Sequence, residues 1–535
     1  MGLVTEVEMA KALSRKFNIP FVNLDEQEVN AEAFAMVQPD LIQKYQVLPL
    51  KADRTSLTIA LSDPLAFEAI DVLRFSLGKR IVEMVATPSQ IAGRIESTLA
   101  LADTVVASSQ MEEILSGIQV DTVTESAPDA KDLTVARDED SGIAKLVYQI
   151  IFEAHARGAS DIHIEPDGDE HETTVRFRID GVCEVYRKFQ AAIRARLVSR
   201  LKIMANLDIT ERRKPQDGKI RIRMKDKPIE LRVATIPTVS RDEDVVLRIL
   251  ASGVPLPMDK LMLSPRNLAE LKRLVQMPYG LVLAVGPTGS GKTTTLHSLV
   301  GAINTATRKI WTAEDPVEIT QRGLRQVQVH PRIGFDFAAA LRAFLRADPD
   351  VIMVGEMRDP ETATMGVEAS LTGHLVFSTL HTNSAPETVT RLVDMGLDPF
   401  TFSDALLGVL AQRLARRLCP VCKVEYEASR LEREELVALF GHDELERALD
   451  GQPLKLFKAP GCARCENRGY KGRLGIHELL VNDDRIRLAI QRKAPVGEIR
   501  DMAVAGGMRT LLLDGIDKCL AGLTDLRQVL AVCSR

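Results

Sequence analysis

The sequence predicts an α/β fold in which a parallel sheet is flanked by helices. From residue 259 onward, short apolar segments alternate with long helical patterns, and parallel strands need such helical crossovers. A glycine-rich loop follows the apolar segment 281–285 and precedes one of the helical patterns. The chain has 535 residues, more than one hydrophobic core usually organises, so we expect several domains.

The composition is that of a globular protein, with 45% hydrophobic and 27% charged residues. Lys and Arg number 69 against 74 Asp and Glu, and the net charge of -5 offers no general attraction to nucleic acid. We therefore expect no nucleic-acid partner. No apolar run approaches the ~18 residues that cross a bilayer, and the start lacks the regions of a secretory signal. These features predict a cytoplasmic protein without a transmembrane segment.

The pattern along the chain predicts three folded regions and a linker. Residues 1–102 carry the short strands and helices of a small mixed α and β domain. Residues 103–140 combine Ser, Pro and acidic residues without a sustained apolar period, which is typical of a flexible linker. Residues 141–252 are predicted to form an α+β domain, and residues 253–535 the α/β domain.

In the α+β region, residues typical of turns lie at the ends of the expected strands. These strands lie at 161–165, 173–179, 219–224 and 230–234. The pairs Asp180-Gly181 and Asp217-Gly218 are the expected turns, because Asp-Gly favours the left-handed backbone of tight hairpins.

The glycine-rich loop has the residues and the strand-to-helix context of a phosphate-binding loop. Its glycines let backbone N–H groups point at a phosphate, Lys292 offsets phosphate charge, and the Thr293 hydroxyl suits Mg²⁺. The predicted ATP- or GTP-binding residues are Gly286, Pro287, Thr288, Gly289, Ser290, Gly291, Lys292, Thr293 and Thr294.

Hydrolysis also needs a carboxylate that orients or deprotonates water, and two acidic residues follow predicted strands. Glu356 comes after the apolar segment 351–354, and Glu314 directly follows the segment 309–313. His381 lies in the polar cluster that follows 375–377, where it could contact the γ-phosphate or respond to its loss. Carboxyl ends of parallel strands meet at one sheet edge, so we expect these side chains to converge.

Four of the seven cysteines form two C-x-x-C pairs, Cys419 with Cys422 and Cys462 with Cys465. Four thiolates satisfy the tetrahedral preference of Zn²⁺ and leave no position for water, which predicts a structural zinc site. The solitary Cys183, Cys519 and Cys533 are expected to be ordinary free or buried thiols.

With these clusters in this order, the chain resembles the motor ATPases of type II secretion and type IV pilus assembly, the general secretory pathway protein E family. The resemblance covers nearly the whole chain. The motifs that carry it are Ala159-Ser-Asp-Ile-His-Ile-Glu-Pro166, Pro215-Gln-Asp-Gly218, residues 231–238, the phosphate loop, Glu314-Asp-Pro-Val-Glu318, residues 345–350, Gly355-Glu-Met-Arg-Asp359 and residues 372–383.

By this resemblance, residues 253–535 are a RecA-like P-loop ATPase domain with a tetracysteine zinc subdomain near 415–470, and residues 141–252 are PAS-like. Glu356 becomes the Walker B catalytic glutamate, Glu314 lies in the acidic box, and His374 and His381 lie in the histidine box. The resemblance implies a ring hexamer in which Arg232 and Arg248 reach the nucleotide. Such arginines would stabilise charge on the transferring phosphoryl group.

The resemblance further implies an Mg²⁺-dependent ATPase whose hydrolysis drives assembly of a pilin or pseudopilin fibre. Residues 1–102 would dock on an inner-membrane assembly protein, and the ring would act on a polytopic platform protein. A DNA-uptake or conjugation motor, a retraction motor and a non-hydrolysing nucleotide-sensing platform stay open as alternatives.

The chain departs from the family pattern in two places. One extra residue within 240–244 leaves open the register of Arg241 and Arg248. The repeat with which longer members bind cyclic di-GMP is missing, because residues 13–20 enter the later part of that domain directly. We therefore do not expect that ligand.

Overall fold

The computed structural model describes residues 6–24, most of 30–95, 141–166, 172–224, 227–239, 242–250, 255–449 and 451–533. The predicted linker 103–140 and the register around Arg241 lie outside the described residues. The chain folds into two compact units, residues 1–153 and 154–535.

The first unit contains a three-stranded sheet with helices. Its elements are α1 (Glu6–Phe17), β1 (Leu48–Ala52), β2 (Ser56–Leu61), α2 (Phe67–Leu77), β3 (Arg80–Val85) and a helix at 88–95. β2 pairs antiparallel with β1 and parallel with β3. Leu57, Ile59 and Ile91 are buried in its apolar core. The long helix α3 spans Ser141–Ala156.

An antiparallel sheet of six strands opens the second unit. Its elements are β4 (Ala159–Pro166), β5 (Thr173–Ile179), β6 (Val182–Phe189), α4 (Ala191–Met204), β7 (Gln216–Met224), β8 (Lys227–Pro237) and β9 (Glu243–Ile249). The strand order is β6-β5-β4-β9-β8-β7. Alternate residues of β5 are buried, as expected for a sheet with one face on a core. The α+β architecture expected for this region is therefore present.

The prediction of a turn at Asp217-Gly218 is wrong. Asp217 and Gly218 lie inside β7, paired with β8, and not at a hairpin. Gly218 is needed there for space, because a Cβ at this position would come 2.6 Å from the carbonyl oxygen of Ala205. The edge strand β6 and the strand β9 were not among the expected strands.

The rest of the second unit is the expected α/β domain. Its elements are α5 (Pro265–Leu274), β10 (Gly280–Val285), α6 (Lys292–Ile303), β11 (Ile310–Glu314), β12 (Arg325–Gln328), α7 (Phe337–Phe344), β13 (Val351–Val354), α8 (Pro360–Leu371), β14 (Leu375–Leu380), α9 (Ala385–Asp394), α10 (Pro399–Ala405), β15 (Leu406–Leu418), β16 (Val424–Glu427), α11 (Arg430–Phe440), α12 (His442–Leu449), β17 (Lys455–Lys458), β18 (Tyr470–Val481), α13 (Asp484–Gln491), α14 (Val496–Ala505), α15 (Leu511–Leu520) and α16 (Leu526–Cys533).

Seven strands form the central sheet in the order β12-β11-β13-β14-β10-β15-β18. All pairs are parallel except β15 with β18, and every residue of β10 and β14 is buried. Strand β14 runs three residues further than predicted because the hydroxyls of Ser378 and Thr379 donate to Val354 O and Gly355 O. Polar side chains satisfied in this way are tolerated in a buried strand.

The segment between the two cysteine pairs forms a small substructure of its own. Strands β16 and β17 pair antiparallel, and α11 and α12 lie between them in the chain. Among the helices that the structure describes, none is both long enough and apolar enough to span a bilayer.

Candidate nucleotide site

The phosphate loop occupies the turn between the buried strand β10 and helix α6. Gly286, Gly289 and Gly291 all have positive φ, at 149°, 80° and 90°, a backbone that favours glycine. A Cβ on Gly291 would also lie 2.7 Å from the Gln412 side-chain nitrogen. Conformation and space therefore both require glycine here, and α6 begins at Lys292 with its N-terminus toward the loop.

Lys292 is held against the loop that carries it. Its Nζ donates to the carbonyl oxygens of Gly286 at 2.7 Å and Pro287 at 3.2 Å. Burial lowers the pKa of Lys292, although the nearby Glu356 carboxylate opposes this shift. The low dielectric of this buried position strengthens the attraction of the ammonium for phosphate oxygens.

A cavity of about 820 Å³ opens over this loop. Seven of the nine predicted loop residues line it, namely Thr288 to Thr294, while Gly286 and Pro287 lie behind and hold Lys292. The carboxyl ends of β11, β13 and β14 supply Glu314, Glu356 and His381 to the same lining. The structure therefore brings together the loop and the polar strand ends that the sequence analysis selected.

Glu356 follows β13 and is held at both carboxylate oxygens. Arg358 Nε donates to Oε2 over 2.6 Å, and His381 Nε2 lies 3.0 Å from Oε1. The Glu356 side chain is 14% exposed, so it is shielded but reachable from the cavity. His374, the other histidine of this region, lies elsewhere, with Nδ1 2.9 Å from Ala369 O.

Glu314 ends β11 inside a buried hydrogen-bond network. Its Oε1 accepts from Thr312 and Gln326, and its Oε2 lies 3.1 Å from His297 Nε2. Gln321 Nε2 lies 2.7 Å from His297 Nδ1 and, as a donor, makes Nδ1 the acceptor. The proton of the neutral ring then resides on Nε2, which donates to Glu314. This tautomer is inferred from the partners.

The two predicted arginines lie in different places. Arg248 of β9 lines the cavity and donates from Nε to Asp161 Oδ1 at 2.9 Å, which raises the pKa of the guanidinium. Arg232 of β8 is not among the described residues that line the cavity. Its Nη2 lies 3.8 Å from Asp217 Oδ1. Arg178 of β5, which the sequence analysis did not select, lines the cavity and lies 3.5 Å from Asp161 Oδ2.

The four cysteines of the two C-x-x-C pairs meet at one point beside β18. Their sulfur atoms all lie within 4.8 Å of one another, and the closest pairs are 3.8–3.9 Å apart. Four sulfurs placed tetrahedrally at about 2.3 Å from one ion would be roughly 3.8 Å apart, so the set fits a single metal ion. Burial opposes ionisation of Cys465, but N–H donors from Cys462 and Gly469 bring its pKa down to about 7.

The family model for the Type II/IV secretion system protein matches residues 136–531. The chain belongs to this family. A second model, the MshEN domain, matches residues 17–104. The expected family is confirmed, and with it the class of the enzyme, a P-loop ATPase. The expectation about cyclic di-GMP stays a prediction.

Named relatives cover most of the chain. It is 40% identical over 533 residues to the type IV pilus assembly ATPase PilB of Myxococcus xanthus, covering 99% of this chain and 91% of PilB. It is 44% identical over 432 residues to the type II secretion system ATPase E of Vibrio cholerae, covering 79% and 83%. The solved structure of the Legionella pneumophila ATPase DotB matches 72% of this chain and 95% of DotB at 22% identity, with a TM-score of 0.54. This similarity confirms the RecA-like fold class.

Sequence reasoning did not select three further residues that line this cavity. Arg178 precedes the Asp180-Gly181 turn by two residues, a position that by itself indicates no contact with the phosphate loop. His297 lies on the first helix after the phosphate loop without a local motif, and Arg473 reaches the cavity from β18. Only the fold places these residues beside the loop.

Proposed function

We propose that this chain is a motor ATPase that couples ATP hydrolysis to assembly of a pilin or pseudopilin fibre, in type IV pilus biogenesis or type II protein secretion. The observation that carries the proposal is that Glu356 and the Lys292 loop line one cavity. The similarity to a named pilus assembly ATPase over 99% of the chain supports fibre assembly as the process that hydrolysis drives. Both systems share the motifs in question, so the proposal names both.

In the proposed reaction, backbone N–H groups of residues 288–293 and the Lys292 ammonium hold the nucleotide phosphates. Glu356 orients the attacking water and accepts its proton, while Arg358 and His381 fix the direction of the carboxylate. Glu314 holds the polar strand edge in place, and Arg248 and Arg178 face the charge that develops on the transferred group. The Thr293 hydroxyl would help to hold Mg²⁺, which would supply positive charge that offsets the charge of the phosphates.

The four-cysteine set is proposed to hold a structural Zn²⁺, because four thiol sulfurs at these separations match its preferred tetrahedron. Cys419 and Cys465 are buried, and all four positions would be filled by sulfur. Such a site ties the segment between β15 and β18 to the sheet and takes no part in hydrolysis.

The chain is proposed to act as a homohexameric ring in the cytoplasm, recruited to the inner membrane through protein partners. Residues 1–102 would bind an inner-membrane assembly protein, and the ring would act on a polytopic platform protein. Deleting residues 1–102 should then abolish membrane recruitment while the remaining chain still hydrolyses ATP. Recruitment that survives the deletion would contradict the docking role.

The experiment that tests the function is steady-state phosphate release from Mg²⁺-ATP, with oligomer mass measured under the same conditions. Glu356→Gln keeps the size of the side chain and removes the carboxylate, so hydrolysis should fall at least about 100-fold while ATP binding persists. Glu361→Gln is the matched control, since that glutamate is exposed and pairs with Arg342. Equal activity in wild type and Glu356→Gln would contradict the catalytic role. ATP binding without turnover in a wild-type hexamer would contradict the motor.

A further inference from the structure

The turn between β5 and β6 is bonded to the strand that leaves the cysteine cluster. The Gly472 N–H donates to Asp180 Oδ2 over 2.8 Å. Two ion pairs join the same regions at longer range, Arg468 with Glu184 at 3.8 Å and Arg157 with Glu466 at 3.8 Å. The antiparallel sheet is thus attached to the ATPase domain close to the proposed nucleotide cavity.

The turn does not itself need the aspartate that makes this bond. Asp180 and Gly181 have φ of 49° and 88° and connect β5 to β6 directly, as the two central residues of a type I′ turn do. Asn-Gly and Gly-Gly form such turns as readily as Asp-Gly does. The carboxylate is therefore available for a role outside the hairpin.

The turn is connected to the nucleotide cavity through Arg178. Both Arg178 and Gly181 line the cavity. The Arg178 Nη1 donates to Gly181 O at 3.2 Å, so the position of the turn and that of the guanidinium depend on each other. Strand β18 also reaches the nucleotide cavity, because Arg473, the residue after Gly472, lines it.

The cysteine cluster holds the other end of the contact. Gly469, three residues before Gly472, donates its N–H to Cys465 Sγ at 3.3 Å. Its carbonyl oxygen accepts from the Cys419 N–H at 2.9 Å. Both backbone groups of Gly469 are thus used by the cluster, which sets where β18 begins. Gly472 has φ of 80°, a left-handed backbone in which its N–H points at Asp180.

We propose that Asp180 is a positioning residue. By bonding Gly472, it holds the β5–β6 turn against the cysteine-cluster strand and keeps Arg178 over the bound nucleotide. The inference rests on the proposed nucleotide site. It adds the hydrogen bond between Asp180 and Gly472 as the contact that holds Arg178 at this site. Losing the acceptor should weaken nucleotide binding by about tenfold, the upper range of the net contribution of one intramolecular hydrogen bond.

Two variants at one position isolate this bond. Asp180→Asn and Asp180→Gly both keep a favoured type I′ turn, but only the asparagine Oδ1 can accept from the Gly472 N–H. Affinity for a fluorescent ATP analogue with Mg²⁺ is measured beside the thermal unfolding midpoint. We expect Asp180→Gly to bind about tenfold more weakly and Asp180→Asn within about twofold of wild type. Equal affinity in Asp180→Gly and wild type, or equal weakening in both variants, would overturn the proposal.

Hydrogen exchange on the wild type provides a test that needs no variant to fold. Peptides covering 176–186 and 470–473 should both exchange more slowly once a non-hydrolysable ATP analogue saturates the protein. Protection confined to the phosphate loop would overturn the contact's role in closure. A wild type that binds no nucleotide would instead contradict the proposed function, and the inference with it, so the two failures are distinguishable.

Discussion

His381 Nε2 lies 3.0 Å from Glu356 Oε1, so a side chain from the end of β14 bonds the carboxylate that follows β13. These strands are neighbours in the sheet. Arg358 binds the other oxygen, and the carboxylate therefore cannot rotate freely. The fold thus orients the group proposed to activate water before any substrate arrives.

His381→Ala should slow hydrolysis about tenfold, which corresponds to about 1.4 kcal/mol of activation free energy, while the KM for ATP changes little. The reason is that the substitution frees one oxygen of Glu356 but leaves the phosphate loop intact. His374→Ala is the matched control, because that ring bonds Ala369 O and not Glu356. Steady-state kinetics check the prediction. Equal losses of activity in both variants would assign the effect to general destabilisation.

The Glu314 network should contribute strongly to stability. His297→Leu removes the donor to Glu314 Oε2 and leaves a carboxylate that is 3% exposed with one oxygen short of a partner. We expect a loss of about 2–3 kcal/mol in the free energy of unfolding. Ser298→Ala, one residue along the same helix, removes only a bond to Thr294 O and should cost less than about 1 kcal/mol. Urea denaturation distinguishes the two, and equal losses would contradict the role of the network.

The cysteine cluster should bind one zinc ion per chain. Cys465→Ser removes a buried ligand, so the purified variant should carry less than about a tenth of the wild-type zinc and unfold at lower temperature. Cys183→Ser serves as the control, because this thiol lies on β6 outside the cluster, and it should keep full zinc. Metal analysis by mass spectrometry measures the stoichiometry. A wild type free of zinc after purification without chelators would refute the site.

Acidification should destabilise the protein through His477. Burial, aided by the Lys518 cation, lowers the pKa of His477 well below 6.5, and Asp514 accepts the His477 backbone N–H. Below pH ~6.5 the unfolded chain binds a proton here that the folded chain does not. The free energy of unfolding therefore falls by up to about 1.4 kcal/mol per pH unit until the folded-state pKa is reached.

His477→Leu should remove this dependence. Between pH 7.5 and 5.5, its loss of unfolding free energy should be about 1.4 kcal/mol smaller than that of the wild type. His442→Leu, a substitution of a side chain that is 71% exposed, should follow the wild-type slope. Urea midpoints at the two pH values provide the measurement. Parallel slopes for wild type and His477→Leu would show that this histidine does not govern the response.

Local patterns were sufficient where one segment carries all the needed information. The phosphate loop was predictable because strand, glycines, Lys292 and helix are contiguous, and the loop's backbone geometry follows from its own residues. Each C-x-x-C pair was recognisable within its own short segment, although only the fold brings the two pairs together at one point. Asp217-Gly218 failed because Asp-Gly marks a turn only when the flanking strands pair with each other.

The fold class, the family and the residues of the phosphate loop follow from the sequence alone, because each depends on short-range patterns that occur in order along the chain. The identity of the distant side chains that join this loop follows from the tertiary structure. Arg178, His297 and Arg473 reach one cavity from three different elements. Their approach depends on strand order and on the packing between sheets, which local propensity does not encode.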